Sequence, residues 1–320
     1  MRILVQILRF FVAITFIFSG FVKLIDPLGS AYKFQEYFGA DVLNLEFLIP
    51  YALPFSIFLI LVEIMLGVFL LLGYLPKLTV WSLLAIILVF LFLTWYSAYY
   101  DKVTDCGCFG DAVKLSSWET FYKNIVLIAF ILVLVFKYKL IKPLFSLTIA
   151  KWTSFLSFFL FLYVIYYVLV HLPLIDFRPY AIGKNIPEGM EYIGDELPPV
   201  HDFFLESENG EDLTDAILSA DNVMLVIAYN LDKSDIEGFT AIKNVTDKAI
   251  EKGYKVYMLS SSLRDDYLSI KDKFNLNFDM LFCDETTLKT IIRANPGIIT
   301  LQKGTVKGKW NWVDVDAIKF

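Results

Sequence analysis

Five apolar runs, each of about twenty residues, constrain this chain more than any other feature of its sequence. A backbone surrounded by hydrocarbon must satisfy every amide within its own segment, so runs of that length fold as membrane-spanning helices. They cover residues 3–22, 49–72, 78–99, 121–136 and 152–172. The fourth is the shortest and carries Tyr122 and Tyr138 at its ends as interfacial anchors. The first sits where a secretion signal would, but Arg9 interrupts its apolar stretch, no small-residue cleavage site follows, and four more spans come after it. It reads as a retained helix. A mean hydropathy of +0.60 over the chain agrees and excludes an ordinary water-soluble enzyme.

Charge divides the 320 residues in two. Residues 1–173 carry 12 Lys and Arg against 9 Asp and Glu, and residues 174–320 carry 16 against 25. A weakly basic apolar half followed by an acidic polar half reads as a membrane domain joined to a water-facing one, and the acidic half argues against nucleic acid as a partner. The expected organisation is a four-helix membrane domain over 1–140, a loop and fifth span over 141–173, a linker over 174–193 and a soluble domain over 194–320. Residues 137–151 hold four lysines and no acid, so the loop between spans four and five is expected on the cytoplasmic side, together with Arg2, Arg9 and Lys77. That places the loops at 23–48 and 100–120, and the soluble domain, on the other face. In the inner membrane of a bacterium this face is the periplasm, where disulfides persist. Membrane lipid and a periplasmic or envelope protein are the expected partners.

Three cysteines and two histidines are too few for a disulfide framework or a four-ligand zinc site in one domain, and no metal is expected. Two of the cysteines lie together in Asp105-Cys106-Gly107-Cys108-Phe109-Gly110-Asp111. A bridge across a single glycine closes only in a tight turn, and a strained bridge has a raised reduction potential that suits exchange. The alternatives are a structural pair that tethers the loop, two unpaired thiols, or a metal site.

Glu63 falls in the middle of the second span, where an ionisable side chain costs several kcal/mol unless it is paired or faces a cavity. It is either a functional group or an interhelical strut, and faces inward in both cases. Gly67 and Gly73 follow it and permit close approach of a neighbouring helix. At the end of the first span, Lys23 and Asp26 share a helical face and can pair, and Asp26-Pro27 ends the helix.

Phe16-x2-Ser19-Gly20-x2-Lys23-x2-Asp26-Pro27, the mid-membrane Glu63-x3-Gly67 and Cys106-Gly-Cys108-Phe-Gly110, in that order, resemble the DoxX-like and MauE-like redox-associated membrane proteins over about residues 5–136. The resemblance implies a four-helix membrane bundle, an association with quinone-linked oxidation or the maturation of disulfide-containing periplasmic proteins, and a polar pocket in which Glu63, Lys23 and Asp26 hold a quinone. The better understood quinone-linked thiol oxidants carry Cys-x2-Cys and a second cysteine pair; this membrane half has Cys106 and Cys108 alone.

The soluble half opens with the Pro- and Gly-rich segment 174–193, which reads as a partly ordered linker along the membrane surface or against the bundle. A hairpin through Asn209-Gly210 is expected over 201–213, then a buried strand at 222–229, a helix at 234–252, strands at 255–260 and 278–282, a short helix at 287–293 and a hairpin over 297–310. Strands alternating with helices indicate an α/β domain. The order resembles a thioredoxin fold of the TlpA-like or peroxiredoxin-like kind over about 195–315, which implies that Pro296 is its cis-proline. Where that family carries Cys-x2-Cys, this chain has Tyr229-Asn-Leu-Asp232-Lys-Ser234-Asp235, so dithiol exchange is not expected there. Ser234 or Asp235 reads as a helix cap. Cys283 reads as a buried apolar residue, or else as a resolving thiol for Cys106 or Cys108. His171 and His201 read as interfacial and surface residues.

Two functions follow. One is a membrane thiol–disulfide oxidoreductase in which Cys106 and Cys108 cycle, coupled to a quinone, while the degenerate thioredoxin-like domain recruits a protein partner. The alternative is a non-catalytic envelope subunit in which the Cys-Gly-Cys loop is structural.

Overall fold

The computed structural model describes all residues except 103–106, 108, 114, 193, 195 and 196. The chain forms two compact units, Met1–Leu169 and Val170–Phe320.

The first unit is helical: α1 (Arg2–Ile25), α2 (Pro27–Phe38), α3 (Ala52–Leu72), α4 (Pro76–Tyr100), α5 (Ser117–Phe136) and α6 (Leu147–Val170). Among the described residues five helices are long and apolar enough to cross a membrane, α3 being extended by a 3-10 turn at Glu46–Tyr51. α5 starts four residues before the apolar run it contains. Ser116 and Glu119 form a capping box, with the Glu119 amide donating to Ser116 Oγ at 3.3 Å and the Ser116 amide to Glu119 Oε2 at 2.8 Å. Asp26-Pro27 does end α1, and it also begins α2, within the segment 23–48 that the sequence predicts as a loop. Asp26 Oδ1 accepts from the Gly29 amide at 3.0 Å, and Pro27 occupies the first turn, where its missing N–H is no loss.

α1 and α3 pack closely because small residues meet at their crossing. A Cβ on Gly67 would stand 2.9 Å from the Ile17 amide nitrogen and 3.1 Å from the Ala13 carbonyl oxygen, and one on Gly20 would stand 2.7 Å from Ile64 Cβ. Around the crossing lies a core that includes Val12, Phe16, Leu70, Leu83 and Ile131.

The second unit contains α7 (Ile186–Gly189), α8 (Thr214–Leu218), β1 (Val223–Ile227), α9 (Gly238–Glu251), β2 (Lys255–Ser260), α10 (Arg264–Phe274), β3 (Asp279–Phe282), α11 (Glu285–Ile291), β4 (Gly297–Gln302) and β5 (Thr305–Asn311). The sheet order is β3-β2-β1-β4-β5, with β1, β2 and β3 parallel and β4 and β5 antiparallel. β1 is central and wholly apolar because both faces are covered. Val223, Leu225 and Ile227 face one core with α8 and α11; Met224 and Val226 face the other with α9 and α10. The strand order, the helices on both faces and a cis Asn295–Pro296 bond give a thioredoxin-like fold.

Two expectations about this unit are corrected. The predicted hairpin over 201–213 is reduced to isolated bridges, Glu206 to Asp212 and Glu206 to Phe282, because Glu206 is shared between the turn and the edge of β3. The predicted linker 174–193 is part of the domain. Tyr180 and Ile186 are buried in its core, the Gly183 amide donates to Val306 O at 2.8 Å, and the Ile186 amide donates to Gly304 O at 2.9 Å. Pro and Gly here shape a strap that lies on the sheet.

Candidate functional site

The end of α1 carries the site. Ser19 and Lys23 are one turn apart on the face turned to α3, and α3 presents Glu63 at the same level. Lys23 Nζ donates to Glu63 Oε2 at 2.8 Å and to Ser19 Oγ at 3.0 Å, and lies 5.4 Å from the centre of the Phe90 ring. Glu63 is 2% exposed and Lys23 8%. The partner expected for Lys23 was Asp26. The structure gives the lysine to Glu63, forty residues away, and places Asp26 at the cap of α2. A charge in the apolar interior needs a counter-charge at contact distance, and Glu63 supplies it.

Lys23, Lys33, Phe34, Tyr37, Phe90 and Gly107 are among the residues lining one pocket, whose empty space of about 550 Å³ includes open solvent. Tyr37 Oη accepts from Ser97 Oγ at 3.2 Å, which orients the phenol. Glu63 stands behind Lys23, outside the lining. Gly107 has a φ of +63°, and a Cβ there would lie 3.1 Å from Lys33 Cγ. Cys106 and Cys108 lie outside the described residues; Gly107, between them, is at the pocket. The lining is mostly apolar and aromatic, with the ammonium groups of Lys23 and Lys33 among its polar groups.

A second buried cation is Arg9, which in the sequence only marks a break in the first apolar run. Arg9, 1% exposed, donates from Nε to Leu70 O at 2.8 Å, from Nη2 to Leu71 O at 2.8 Å and from Nη1 to Lys142 O at 2.9 Å. It satisfies carbonyls at the C-terminal end of α3, where positive charge is favoured. Gly73, with φ +71°, leaves room for it: a Cβ there would stand 2.7 Å from the guanidinium. The rule that singled out Glu63, a charge inside an apolar run, applies equally to Arg9. The pocket walls Phe34, Tyr37 and Phe90 carry no such signal, because aromatic residues are common throughout these helices.

In the sheet domain, the place where the thioredoxin-like fold carries its dithiol is filled by hydrogen bonds. Asn295 Nδ2 donates to Asn230 O at 2.8 Å, Ser234 Oγ donates to Asn295 Oδ1 at 3.0 Å, and the Asp235 amide donates to Asn295 O at 3.0 Å. Ser234 thus ties the loop to the residue before Pro296. It does not cap α9, which starts at Gly238 with Glu237 as its N-cap. Pro296 is cis, as the resemblance implied. Cys283 is fully buried in the core and burial pushes its thiol up to about 12, so it is protonated and shielded. The histidines are spoken for: His171 Nδ1 lies 2.8 Å from Asp314 Oδ1, and His201 Nδ1 lies 3.0 Å from Pro198 O.

Beneath the strap lies a cluster of charges. Asp176 accepts from Arg178 Nε at 2.7 Å and from Lys309 Nζ at 2.6 Å, and Lys309 Nζ also donates to Tyr180 O at 3.2 Å. Burial favours the neutral carboxyl of Asp176, but the two cations outweigh it and hold its pKa below the ordinary value. Burial, with the nearby charges of Arg178 and Arg293, brings Lys309 down to about 7. Arg178 Nη1 is buried with no hydrogen-bond partner among the described residues.

Residues 1–137 match the family of methylamine utilisation protein MauE. That stretch is similar to MauE over α1 to α5. The match covers fewer than half of the 320 residues and stops at the end of α5. Among solved structures, the chain is similar to the thioredoxin domain of a thiol-disulfide oxidoreductase from Bacteroides vulgatus, with 12% identity over 40% of this chain and 87% of that one and a TM-score of 0.30. It is also similar to a thioredoxin-like protein from Bacteroides caccae, with 14% identity over 87% of each chain and a TM-score of 0.28. No curated protein matches the chain.

Proposed function

We propose that this protein is a thiol–disulfide oxidoreductase of the bacterial inner membrane, with its N-terminus in the cytoplasm and its sheet domain in the periplasm. Cys106 and Cys108 exchange two electrons and two protons as they pass between dithiol and disulfide, and a thiol pair of a periplasmic protein is the other reactant. The observation that carries this reading is the pocket that reaches from Lys23 to Gly107, the residue between the two cysteines. A quinone bound there takes up or supplies the two electrons and two protons. Lys23 holds a carbonyl oxygen through its ammonium group, Glu63 and Ser19 keep that ammonium in place, and Phe34, Tyr37 and Phe90 exclude water and enclose the ring. Asp26 contributes by setting where α1 ends and α2 begins. The sheet domain, which lacks a dithiol at its fold's usual place, recruits the partner.

Differential alkylation of the three cysteines in intact membranes, with the quinone pool held oxidised and then reduced, tests the reading. The expected result is that Cys106 and Cys108 change state with the pool while Cys283 does not. A pair that stays in one state overturns it. The hydrogen bonds joining Asn230, Ser234 and Asn295 favour a second reading, a non-catalytic envelope subunit with a structural Cys-Gly-Cys loop, and that reading expects the unchanging pair.

A further inference from the structure

The segment that follows α6 is amphipathic with its faces reversed. Asp176, Arg178 and Tyr180 alternate along it and turn into the sheet domain, Arg178 and Tyr180 each being 3% exposed. Leu174, Ile175, Phe177 and Ile182 point outward and are 56%, 44%, 44% and 62% exposed. The strap thus hides its charged residues and shows its apolar ones. A single exposed apolar side chain needs no explanation, but four within nine residues of a segment fixed to a folded domain mark a contact surface.

Position in the chain identifies what covers it. α6 ends at Val170, four residues before Leu174. At about 3.5 Å per residue, Leu174 lies within roughly 14 Å of that end and Ile182 within roughly 42 Å. The last turns of α6 expose Tyr163, Tyr166 and Tyr167, side chains that favour the boundary between hydrocarbon and headgroups. The apolar face of the strap therefore begins within a few residues of a helix long and apolar enough to cross a membrane. With Asp176 and Arg178 turned inward and paired, the strap can lie against lipid without stripping water from an ion.

We propose that residues 174–182 are an interfacial strap that seats the sheet domain on the bilayer, with Leu174, Ile175, Phe177 and Ile182 in the boundary between headgroups and acyl chains. The strap lies on the sheet face that also carries α8 and α11, and α9 lies on the other. Only one face of the domain is then turned to lipid.

The test uses the full chain in phosphatidylcholine nanodiscs, with a photoreactive benzoylphenylalanine in place of Phe177, of Ile182 or, as a control, of exposed Lys248 on α9. Mass analysis after illumination is expected to find lipid adducts at 177 and 182 and none at 248. Adducts to protein at 177 and 182, whether within the chain or to a second copy, would overturn the proposal, as would equal lipid labelling at all three positions or no adduct at all. Because each probe replaces an exposed side chain, folding is retained; Phe177→Asp combined with Ile182→Asp gives an independent check. That variant is expected to abolish lipid adducts from a probe at Leu174 while leaving the unfolding midpoint unchanged, and undiminished adducts would overturn the proposal.

Discussion

The two domains each bury a cluster of opposite charges, and the clusters are built differently. In the membrane domain one lysine meets one glutamate, and the lysine borders a pocket. In the sheet domain one aspartate is shared by an arginine and a lysine, with Arg293 adding further positive charge, and the group is sealed beneath the strap. The first is balanced and open to a ligand. Among the described residues the second sets Arg178 and Lys309 against one carboxylate, and there Lys309 is depressed and one nitrogen of Arg178 has no hydrogen-bond partner. Burial of charge alone therefore does not mark a binding site. Charge held in balance at the edge of a cavity does, whereas charge sealed under a segment of chain reads as a fastening.

The largest expected effect comes from breaking the balanced pair. Lys23→Met leaves the Glu63 carboxylate alone in the membrane interior and is expected to cost about 3–5 kcal/mol, read as a lower unfolding midpoint in detergent. Lys23→Met combined with Glu63→Leu removes both charges and is expected to recover most of that loss. The comparison sharpens at the next step. If Lys23 serves the pocket, the stable double variant should still lose the response of Cys106 and Cys108 to the quinone pool, and a double variant that keeps this response would reduce the pair to a strut.

In the sheet domain the order of effects should follow from two cations sharing one carboxylate. Asp176→Asn takes away the one carboxylate and is expected to cost about 3 kcal/mol, seen as faster amide exchange along β5 and the strap. Lys309→Met should cost much less, because the lysine already sits in surroundings that disfavour its charge. The pH dependence follows. Folding lowers the pKa of Lys309 from 10.5 to about 7, so above pH 7 the unfolded chain holds more protons than the folded one and stability rises with pH. Cys283 and Tyr180 are shifted upward and oppose this only once their unfolded forms begin to ionise, near pH 9 and 10. Between pH 7 and 8.5 the unfolding free energy should therefore climb by no more than about 1.4 kcal/mol per pH unit, and Lys309→Met should flatten the slope. An unchanged slope in the variant would place the titration elsewhere.

How much of this could be read beforehand depended on how local each signal is. The five spans were legible because a bilayer demands long apolar runs. Pro296 was legible through the resemblance of the element order to a thioredoxin fold, which implies a cis-proline before the last hairpin. Glu63 stands out as a charge in an apolar run, but its partner does not: spacing on one helix allows Lys23 to pair with Asp26, and only the approach of α1 to α3 at Gly67 brings a residue forty positions away into contact. The strap is hidden in the sequence for a related reason. Pro and Gly at 173–187 look like a linker until Val306 and Gly304 on the hairpin are seen to accept their amide bonds from residues 183 and 186.

The smallest expected effect concerns Cys283. A thiol with no exposed surface, held protonated by burial, behaves as a small apolar side chain, so Cys283→Ala should lower stability by about 1 kcal/mol through lost packing. The redox state of Cys106 and Cys108 should be the same with and without it, at either setting of the quinone pool. The reason is the one that separates the two charge clusters: exchange requires a thiolate that another sulfur can reach, and Cys283 at the end of β3 offers neither the ionised form nor the access. If Cys283→Ala instead traps the loop cysteines in one state, the sheet domain opens during turnover, and its sealed interior takes part in the chemistry that the pocket alone is proposed to support.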